Sequence, residues 1–124
     1  MNVIDETEAR TTTSPGGTMS GLAGPSQGSR ELSTWRVRLP VGAVGPVHTI
    51  DREQVWMPVS GSLTVTVADR TEVVHAGQAL ILPADAVRQI RATDAPAEVL
   101  VCMVTGGTAA LPGSDERHPL PWAR

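Results

Sequence analysis

The alternation of hydrophobic and polar residues predicts short β-strands from about position 33 onward. Residues 62–67 alternate strictly between polar and apolar side chains, as a strand with one buried face does. Residues 34–39 alternate in the same way, and residues 98–104 form a long apolar run. No segment shows the roughly 3.6-residue period of an amphipathic helix, so the pattern indicates an all-β chain.

Turn residues separate further strands, and their spacing predicts the architecture. These strands are expected at residues 53–59, 72–75, 79–82 and 87–92. Residues 68–71 between two of the strands are expected to form a hairpin turn. Short strands that recur every ~8–12 residues are typical of a β-sandwich or a closed barrel.

Both ends of the chain lack this alternation. Residues 1–30 are rich in Thr, Ser, Gly and Pro and have almost no apolar periodicity, so we expect a disordered tail. Met19 within it is a conceivable alternative start of the protein. The folded domain is then expected to span residues 31–124. Its last part, residues 106–124, is expected to be mostly irregular, with Trp122 anchoring it to the barrel or to a partner subunit.

The composition fits one small domain and excludes several kinds of function. The chain has 124 residues, a net charge of -3, three Trp, no Phe or Tyr, and only Arg among its ten basic residues. Without lysine, Schiff-base chemistry on a lysine side chain is excluded. Without a basic stripe or an aromatic platform, we expect no nucleic-acid partner. No apolar run approaches the ~20 residues that cross a bilayer, so we expect no membrane partner either.

The N-terminus and the single cysteine bear on cellular location. The chain begins with acidic and polar residues rather than with a basic and then apolar signal peptide, so a cytoplasmic protein is expected. A lone Cys102 excludes an internal disulfide. It lies in an apolar run and is expected to pack as a small hydrophobic side chain.

Glycine and proline spacing in the middle of the chain carries a family resemblance. Gly61 follows Gln54 by seven positions, and Pro83 follows Gly77 by six. In this spacing residues 34–105 resemble a cupin, a small β-barrel of jelly-roll type whose interior often holds a metal. The resemblance implies an all-β single-domain barrel and a homodimer, and exposed edge strands favour such pairing.

The positions that hold metal ligands in cupins carry an unusual set of side chains here. By resemblance they are His48, Ile50, Gln54 and Arg88. Isoleucine has no ligand atom, glutamine offers one uncharged oxygen, and arginine is a fixed cation without an acceptor. We therefore expect neither a metal nor another cofactor. A shifted cluster of His48 with Asp51 and Glu53 is the alternative, and it requires a β-bulge.

The same residues predict an apolar pocket with a few polar groups, which is typical of a small-molecule site. By period two, Gln54, Trp56 and Pro58 share the interior face of one strand, opposite Arg88 and Ile90 on another. We expect His48 and Arg88 to be catalytic, with His48 moving a proton at the rim and Arg88 binding a ligand oxygen. The expected ligand-binding residues are Gln54, Trp56, Ile50, Ile90 and Met103.

Each of these side chains also has a purely structural interpretation. Arg88 could pair with Asp51, Glu53 or Asp85 instead of a ligand. His48 could be an exposed loop histidine, Gln54 could simply hydrogen-bond Arg88, and Trp56 could belong to the core. The remaining histidines lie next to turns and are expected to face solvent; they are His75 and His118.

Three functions remain open at this point. The first is a metal-independent enzyme that isomerises, cyclises or dehydrates an apolar small molecule bearing a carbonyl or carboxylate. Some cupins that resemble this chain act as cyclases or isomerases in specialised metabolism. The second is a non-catalytic module that binds a small molecule as a sensor or carrier. The third is a metal-dependent cupin oxygenase, which Ile50 and Arg88 disfavour.

Overall fold

The computed structural model describes residues 1–124, and it consists mainly of short β-strands. The strands are β1 (Thr11–Ser14), β2 (Gly17–Gly21), β3 (Leu32–Leu39), β4 (Thr49–Ile50), β5 (Gln54–Ser60), β6 (Ser62–Val67), β7 (Arg70–His75), β8 (Leu80–Leu82), β9 (Arg88–Ala92), β10 (Ala97–Val104), β11 (Thr108–Ala110) and β12 (His118–Pro119). Single turns of 3-10 helix form at Glu8–Arg10, Pro25–Gln27 and Pro121–Ala123. None of these helices has the length and apolar character needed to cross a membrane.

One antiparallel sheet of six strands forms the main wall of the barrel, in the order β1-β2-β3-β10-β5-β8. In the pair β3–β10, Trp35 lies opposite Val101, and Val37 lies opposite Val99. All four side chains are buried, while the residues between them on each strand are more exposed. The inner face of this sheet is therefore one continuous apolar surface, as period-two alternation requires.

Two sheets of three strands close the barrel, in the orders β7-β6-β9 and β12-β11-β4. Strand β6 contributes Leu63 and Val65 to the core, and Val65 lies opposite Ile90 of β9. An isolated bridge between His48 and Arg88 brings the loop before β4 beside the start of β9. The buried side chains of all three sheets form a single core cluster.

The turn between β5 and β6 requires the glycine found in the motif spacing. Gly61 has a φ of +70°, and a Cβ at this position would lie 2.3 Å from the carbonyl oxygen of Pro96. Only glycine fits such a turn without strain. The turn ends a strand whose residues Gln54, Trp56 and Pro58 are all buried, which agrees with the predicted interior face.

The strands predicted from alternation are all present, each within two residues of its expected ends. Strand β6 matches its predicted range of Ser62–Val67 residue for residue. The predicted fold class, an all-β cupin-type barrel, is confirmed by the sheet arrangement. The strands that alternation did not predict are short, and they are β1, β2, β4, β11 and β12.

The expectation of a disordered N-terminal tail was wrong. Strands β1 and β2 form a hairpin, and β2 pairs with β3, where Met19 lies opposite Val37. Met19 is buried, and Glu6 forms ion pairs with Arg36 at 2.8 Å and Arg38 at 2.9 Å. The backbone of β1 pairs with β2 and that of β2 pairs with β3, so the order of this polar segment depends on a strand outside it, which local composition could not reveal.

The C-terminal residues are also more regular than expected. Strand β11 pairs with both β12 and β4, and the last helix packs against the barrel. Trp122 is half-buried against the core, as its anchoring role predicted. The Oγ of Ser33 donates a hydrogen bond to the carbonyl oxygen of Ala123 over 2.6 Å, which ties the chain end to β3.

Candidate functional site

A cavity of about 370 Å³ lies where the barrel meets the two ends of the chain. Twenty residues line it, and twelve of them are hydrophobic. The walls come from β1 to β5, from the loop before β4, from β9 and from the segments after β10. All three tryptophans of the chain line it, namely Trp35, Trp56 and Trp122. The volume lies in the range of small-molecule sites, about 300–1,000 Å³, and an apolar lining is typical of such sites.

His48 lines this cavity, is partly exposed, and is held in one orientation. Its backbone N–H and carbonyl pair with those of Arg88, both over 3.0 Å. Its Nδ1–H donates to the carbonyl oxygen of Pro46 over 2.8 Å, because a carbonyl can only accept. Nε2 of the neutral ring therefore keeps its lone pair. Burial lowers the pKa of His48; the bond to Pro46 opposes this shift, and the charge of Arg88 adds to it.

Gln54 lies deep in the same cavity, with only 3% of its surface exposed. Its Oε1 accepts a hydrogen bond from Trp56 Nε1 over 3.0 Å and another from Arg88 Nη1 over 3.2 Å. Its Nε2 donates only to the sulfur of Met103, over 3.6 Å. Since only an oxygen can accept from both donors, the orientation of the amide is determined.

Arg88 differs from the expectation, because its guanidinium bonds to the protein and does not line the cavity. The side chain is 1% exposed. Besides Gln54, it donates from Nε to the carbonyl oxygen of Ala86 over 2.8 Å and from Nη2 to that of Pro83 over 3.0 Å. Burial lowers the pKa of Arg88 to about 10, with the charge of Asp85 opposing, so the group is still cationic at neutral pH.

The physical reason is that a buried cation must satisfy its donors, and the turn before β9 supplies two carbonyl oxygens. The bonded acceptors are all uncharged, so the alternative of an ion pair between Arg88 and Asp51, Glu53 or Asp85 is not what the structure shows. The alternative that Gln54 hydrogen-bonds Arg88 is what the structure shows.

The donor set does not fit the divalent metal that the cupin resemblance implies. Gln54 Oε1 already accepts two hydrogen bonds, Ile50 has no donor atom, and Arg88 is a cation. The shifted cluster fails as well, because the carboxylate of Asp51 accepts hydrogen bonds from the N–H of Thr108 at 2.7 Å and from its Oγ1 at 2.9 Å. Nowhere in the chain do three His, Cys, Asp or Glu side chains meet in a metal-binding group.

The structure brings most of the predicted site residues together. The cavity lining includes His48, Ile50, Gln54, Trp56 and Ile90. Arg88 and Met103 contact Gln54 from behind but are not part of the lining. The catalytic and ligand-binding roles of these seven residues stay predictions.

Sequence reasoning missed the part of the lining that comes from other segments. Trp35 faces the cavity from β3, and the alternation of that strand already marked it as an inward residue. Met19 and Trp122 reach it from segments without periodicity, so no local signal could have placed them. His75 is exposed as expected. His118 is also exposed, but it lines the cavity from β12.

The family of the chain follows from the central stretch of its sequence. A sequence profile of the family described as Cupin domain matches residues 35–103, more than half of the chain. The chain belongs to the cupin family. The match ends at Met103, so the C-terminal cavity wall of this cupin, which includes Trp122, lies outside the matched stretch.

Solved cupin structures share this fold at low sequence identity. DMSP lyase DddQ from Ruegeria pomeroyi DSS-3 is 19% identical, with a TM-score of 0.63, over 71% of this chain and 46% of its own. A mutant of oxalate decarboxylase OxdC from Bacillus subtilis is 21% identical, with a TM-score of 0.74, over 85% of this chain and 30% of its own. KdgF from Halomonas sp. is 20% identical, with a TM-score of 0.66, over 81% and 84% of the two chains.

These likenesses concern the fold alone, because identity is low and this cupin spans less than half of the lyase and of the decarboxylase. No curated protein sequence matches the chain significantly.

Proposed function

We propose that this cupin is a metal-independent enzyme that moves a proton on an apolar small molecule bearing a carbonyl or carboxylate. Isomerisation, cyclisation and dehydration are reactions that need such a step. The observation that carries the proposal is the free Nε2 of His48 on an apolar cavity, with Nδ1 held by Pro46. Solved structures of similar fold include a lyase and a decarboxylase, which supports an enzymatic role.

His48 is the general base of this proposal. Because burial lowers its pKa, the ring is neutral at pH 7, and Nε2 can accept a proton from a carbon or hydroxyl of the ligand. The imidazolium that forms then returns the proton. In an isomerisation the proton goes to another ligand carbon or oxygen, in a dehydration to the hydroxyl group that leaves as water, and in a cyclisation to the carbonyl oxygen that becomes a hydroxyl. The three indoles surround the apolar body of the ligand and exclude water from it.

A second candidate function is binding without catalysis, as a sensor or carrier. The observation that favours it is the position of Arg88, whose bonds to Pro83, Ala86 and Gln54 hold it away from a ligand. A cation in contact with the ligand would stabilise negative charge on its oxygen, and this cavity has none.

Hydrogen exchange on a model ketone separates the two candidates. The probe is β-tetralone, a neutral bicyclic ketone, incubated with the protein in deuterated water and followed by proton NMR. The enzyme proposal predicts faster exchange of the α-hydrogens, reduced about tenfold or more by His48→Gln. His75→Gln is the matched control, since His75 is exposed and outside the cavity. Equal exchange with His48→Gln contradicts the assignment, and binding without any exchange favours the second candidate.

The assembly, the location and the metabolic role of the protein stay predictions. We propose a homodimer, a cytoplasmic location and a reaction in specialised metabolism. The outer face of the six-stranded sheet supports the dimer, because it leaves Met57 37%, Ile81 63% and Val104 55% exposed. An apolar sheet face of this kind is commonly covered by a partner.

A further inference from the structure

The amide of Gln54 has one donor that the protein does not satisfy. One hydrogen of Nε2 points to the sulfur of Met103, a weak acceptor at 3.6 Å. The second N–H of Nε2 has no acceptor in the protein, although only 3% of Gln54 is exposed. A buried donor without a partner destabilises the folded protein, so its presence needs an explanation.

The neighbours of Gln54 prevent the amide from turning its oxygen to the ligand. Trp56 Nε1 and Arg88 Nη1 both donate to Oε1, at 3.0 and 3.2 Å. A flipped amide would place its N–H₂ against these two donors, one of them charged, which would lose both bonds. Gln54 therefore offers the cavity a donor and not an acceptor.

The positive charge of Arg88 also strengthens this donor. It withdraws electron density from the carbonyl of Gln54, and hydrogen bonds in a chain polarise one another in a low-dielectric interior. Arg88 thus acts on a ligand through Gln54, as a positioning residue, although it does not touch the cavity.

From these contacts we infer that the free Nε2–H of Gln54 recognises a carbonyl oxygen of an uncharged, largely apolar ligand. This inference rests on the proposed function and narrows its ligand class from carbonyl or carboxylate to a neutral carbonyl compound. The acceptor follows from the orientation of the amide, and the apolar body follows from the three indoles. The lack of charge follows from the lining, which contains no Asp, Glu, Lys or Arg side chain. A carboxylate would bury a full negative charge in a cavity whose lining has no Lys or Arg side chain to pair with it.

The inference is tested with three probes of one shape: β-tetralone, the hydrocarbon tetralin, and a tetralin carboxylate. Binding is followed in ¹⁵N–¹H spectra by the three indole N–H signals, since every tryptophan lines the cavity. The wild-type spectrum also contains the side-chain amide signals of Gln54. We expect tetralone to shift these amide signals, tetralin to leave them in place, and the carboxylate to bind more weakly than the ketone.

Substitution of Gln54 supplies the energetic test. Gln54→Glu keeps an acceptor for Trp56 and Arg88 but removes the donor, and Gln54→Met is the uncharged variant of similar length. The ratio of the ketone to the hydrocarbon dissociation constant is expected to rise about tenfold in either variant. Gln78→Glu is the matched control, because Gln78 is exposed and lies outside the cavity.

The outcomes separate this inference from the proposed function. If ketone and hydrocarbon both bind but the ratio is unchanged and the Gln54 amide signals do not move, the inference is overturned while the small-molecule site stands. Tighter binding of the carboxylate than of the ketone overturns the neutral ligand class. If no indole signal moves with any probe, both the proposed function and the inference are overturned. Spectra of the wild type alone decide these points if a variant does not fold.

Discussion

The guanidinium of Arg88 donates a hydrogen bond to the side-chain oxygen of Gln54 over 3.2 Å. By resemblance, these are two of the positions at which a cupin places metal ligands, and here they bond to each other. The other guanidinium nitrogens reach the carbonyls of Pro83 and Ala86. The guanidinium cation of this side chain thereby links β5, β9 and the turn before β9.

Arg88→Met is therefore expected to destabilise the fold. The variant leaves the carbonyl oxygen of half-buried Ala86 without a partner and removes one of two donors from the carbonyl oxygen of Pro83 and one of two donors from Gln54 Oε1. We therefore expect a loss of about 1–3 kcal/mol in the free energy of unfolding. Urea unfolding followed by tryptophan fluorescence measures it. Arg70→Met is the control, because Arg70 is exposed and its pair with Glu72 lies in solvent. Equal stability of wild type and Arg88→Met would contradict the linking role.

His48 is expected to lower the free energy of unfolding as the pH falls below neutral. Because its folded pKa is lowered, the unfolded chain binds a proton first as the pH falls below about 6.5. The contribution of His48 to stability is thus present above that pH and is lost as the pH falls towards its folded pKa. Urea unfolding at pH 7.5 and 5.5 should show a smaller difference for His48→Gln than for the wild type. If the difference between the two pH values is unchanged in His48→Gln but smaller in His75→Gln, the pH dependence comes from His75 and the prediction for His48 is wrong.

The N-terminal hairpin is expected to contribute to both stability and the cavity. A chain that begins at Met19 loses β1, the pairs of Glu6 with Arg36 and Arg38, and the cavity-lining side chains of Thr12 and Ser14. We expect the free energy of unfolding of this shorter chain to be lower by about 2–3 kcal/mol, and we expect the shorter chain to bind tetralin more weakly. Hydrogen exchange of the intact protein should show protected amides in β2.

Deletion of residues 1–3 is the control for this truncation, because Met1 and Val3 are fully or largely exposed. It is expected to change the free energy of unfolding by less than about 0.5 kcal/mol. Rapid exchange of every amide before β3, with no loss of stability on truncation, would contradict the ordered hairpin and support the disordered tail that the composition suggested.

The predicted homodimer can be tested at the outer face of the six-stranded sheet. Ile81 lies on β8, the edge strand of that sheet, next to Val55 of β5. Ile81→Arg places a charge on this apolar surface and is expected to convert a dimer into a monomer, as measured by light scattering after gel filtration. Val73→Arg is the control, since Val73 is also exposed but belongs to another sheet. A wild-type protein that is monomeric at about 100 μM contradicts the dimer.

The sequence by itself determined the fold class and the interior face of each central strand. Strict alternation in Ser62–Val67 predicted β6 residue for residue, because side chains on a strand point to opposite sides with a period of two. The same period placed Gln54 and Trp56 inside, and the spacing to Gly61 marked a turn where only glycine fits. The missing ligands at Ile50 and Arg88 were equally visible in the sequence, since a residue's donor atoms do not depend on its surroundings.

Only the tertiary structure decided where polar and terminal segments go. The hairpin of β1 and β2 is ordered by β3, and Trp122 reaches the cavity from the far end of the chain. Arg88 faces inward as its period required, yet its guanidinium turns to Pro83 and Ala86 and not to the cavity. Periodicity describes which side of a strand a residue occupies, whereas long-range pairing and the direction of a flexible side chain depend on acceptors that other segments bring.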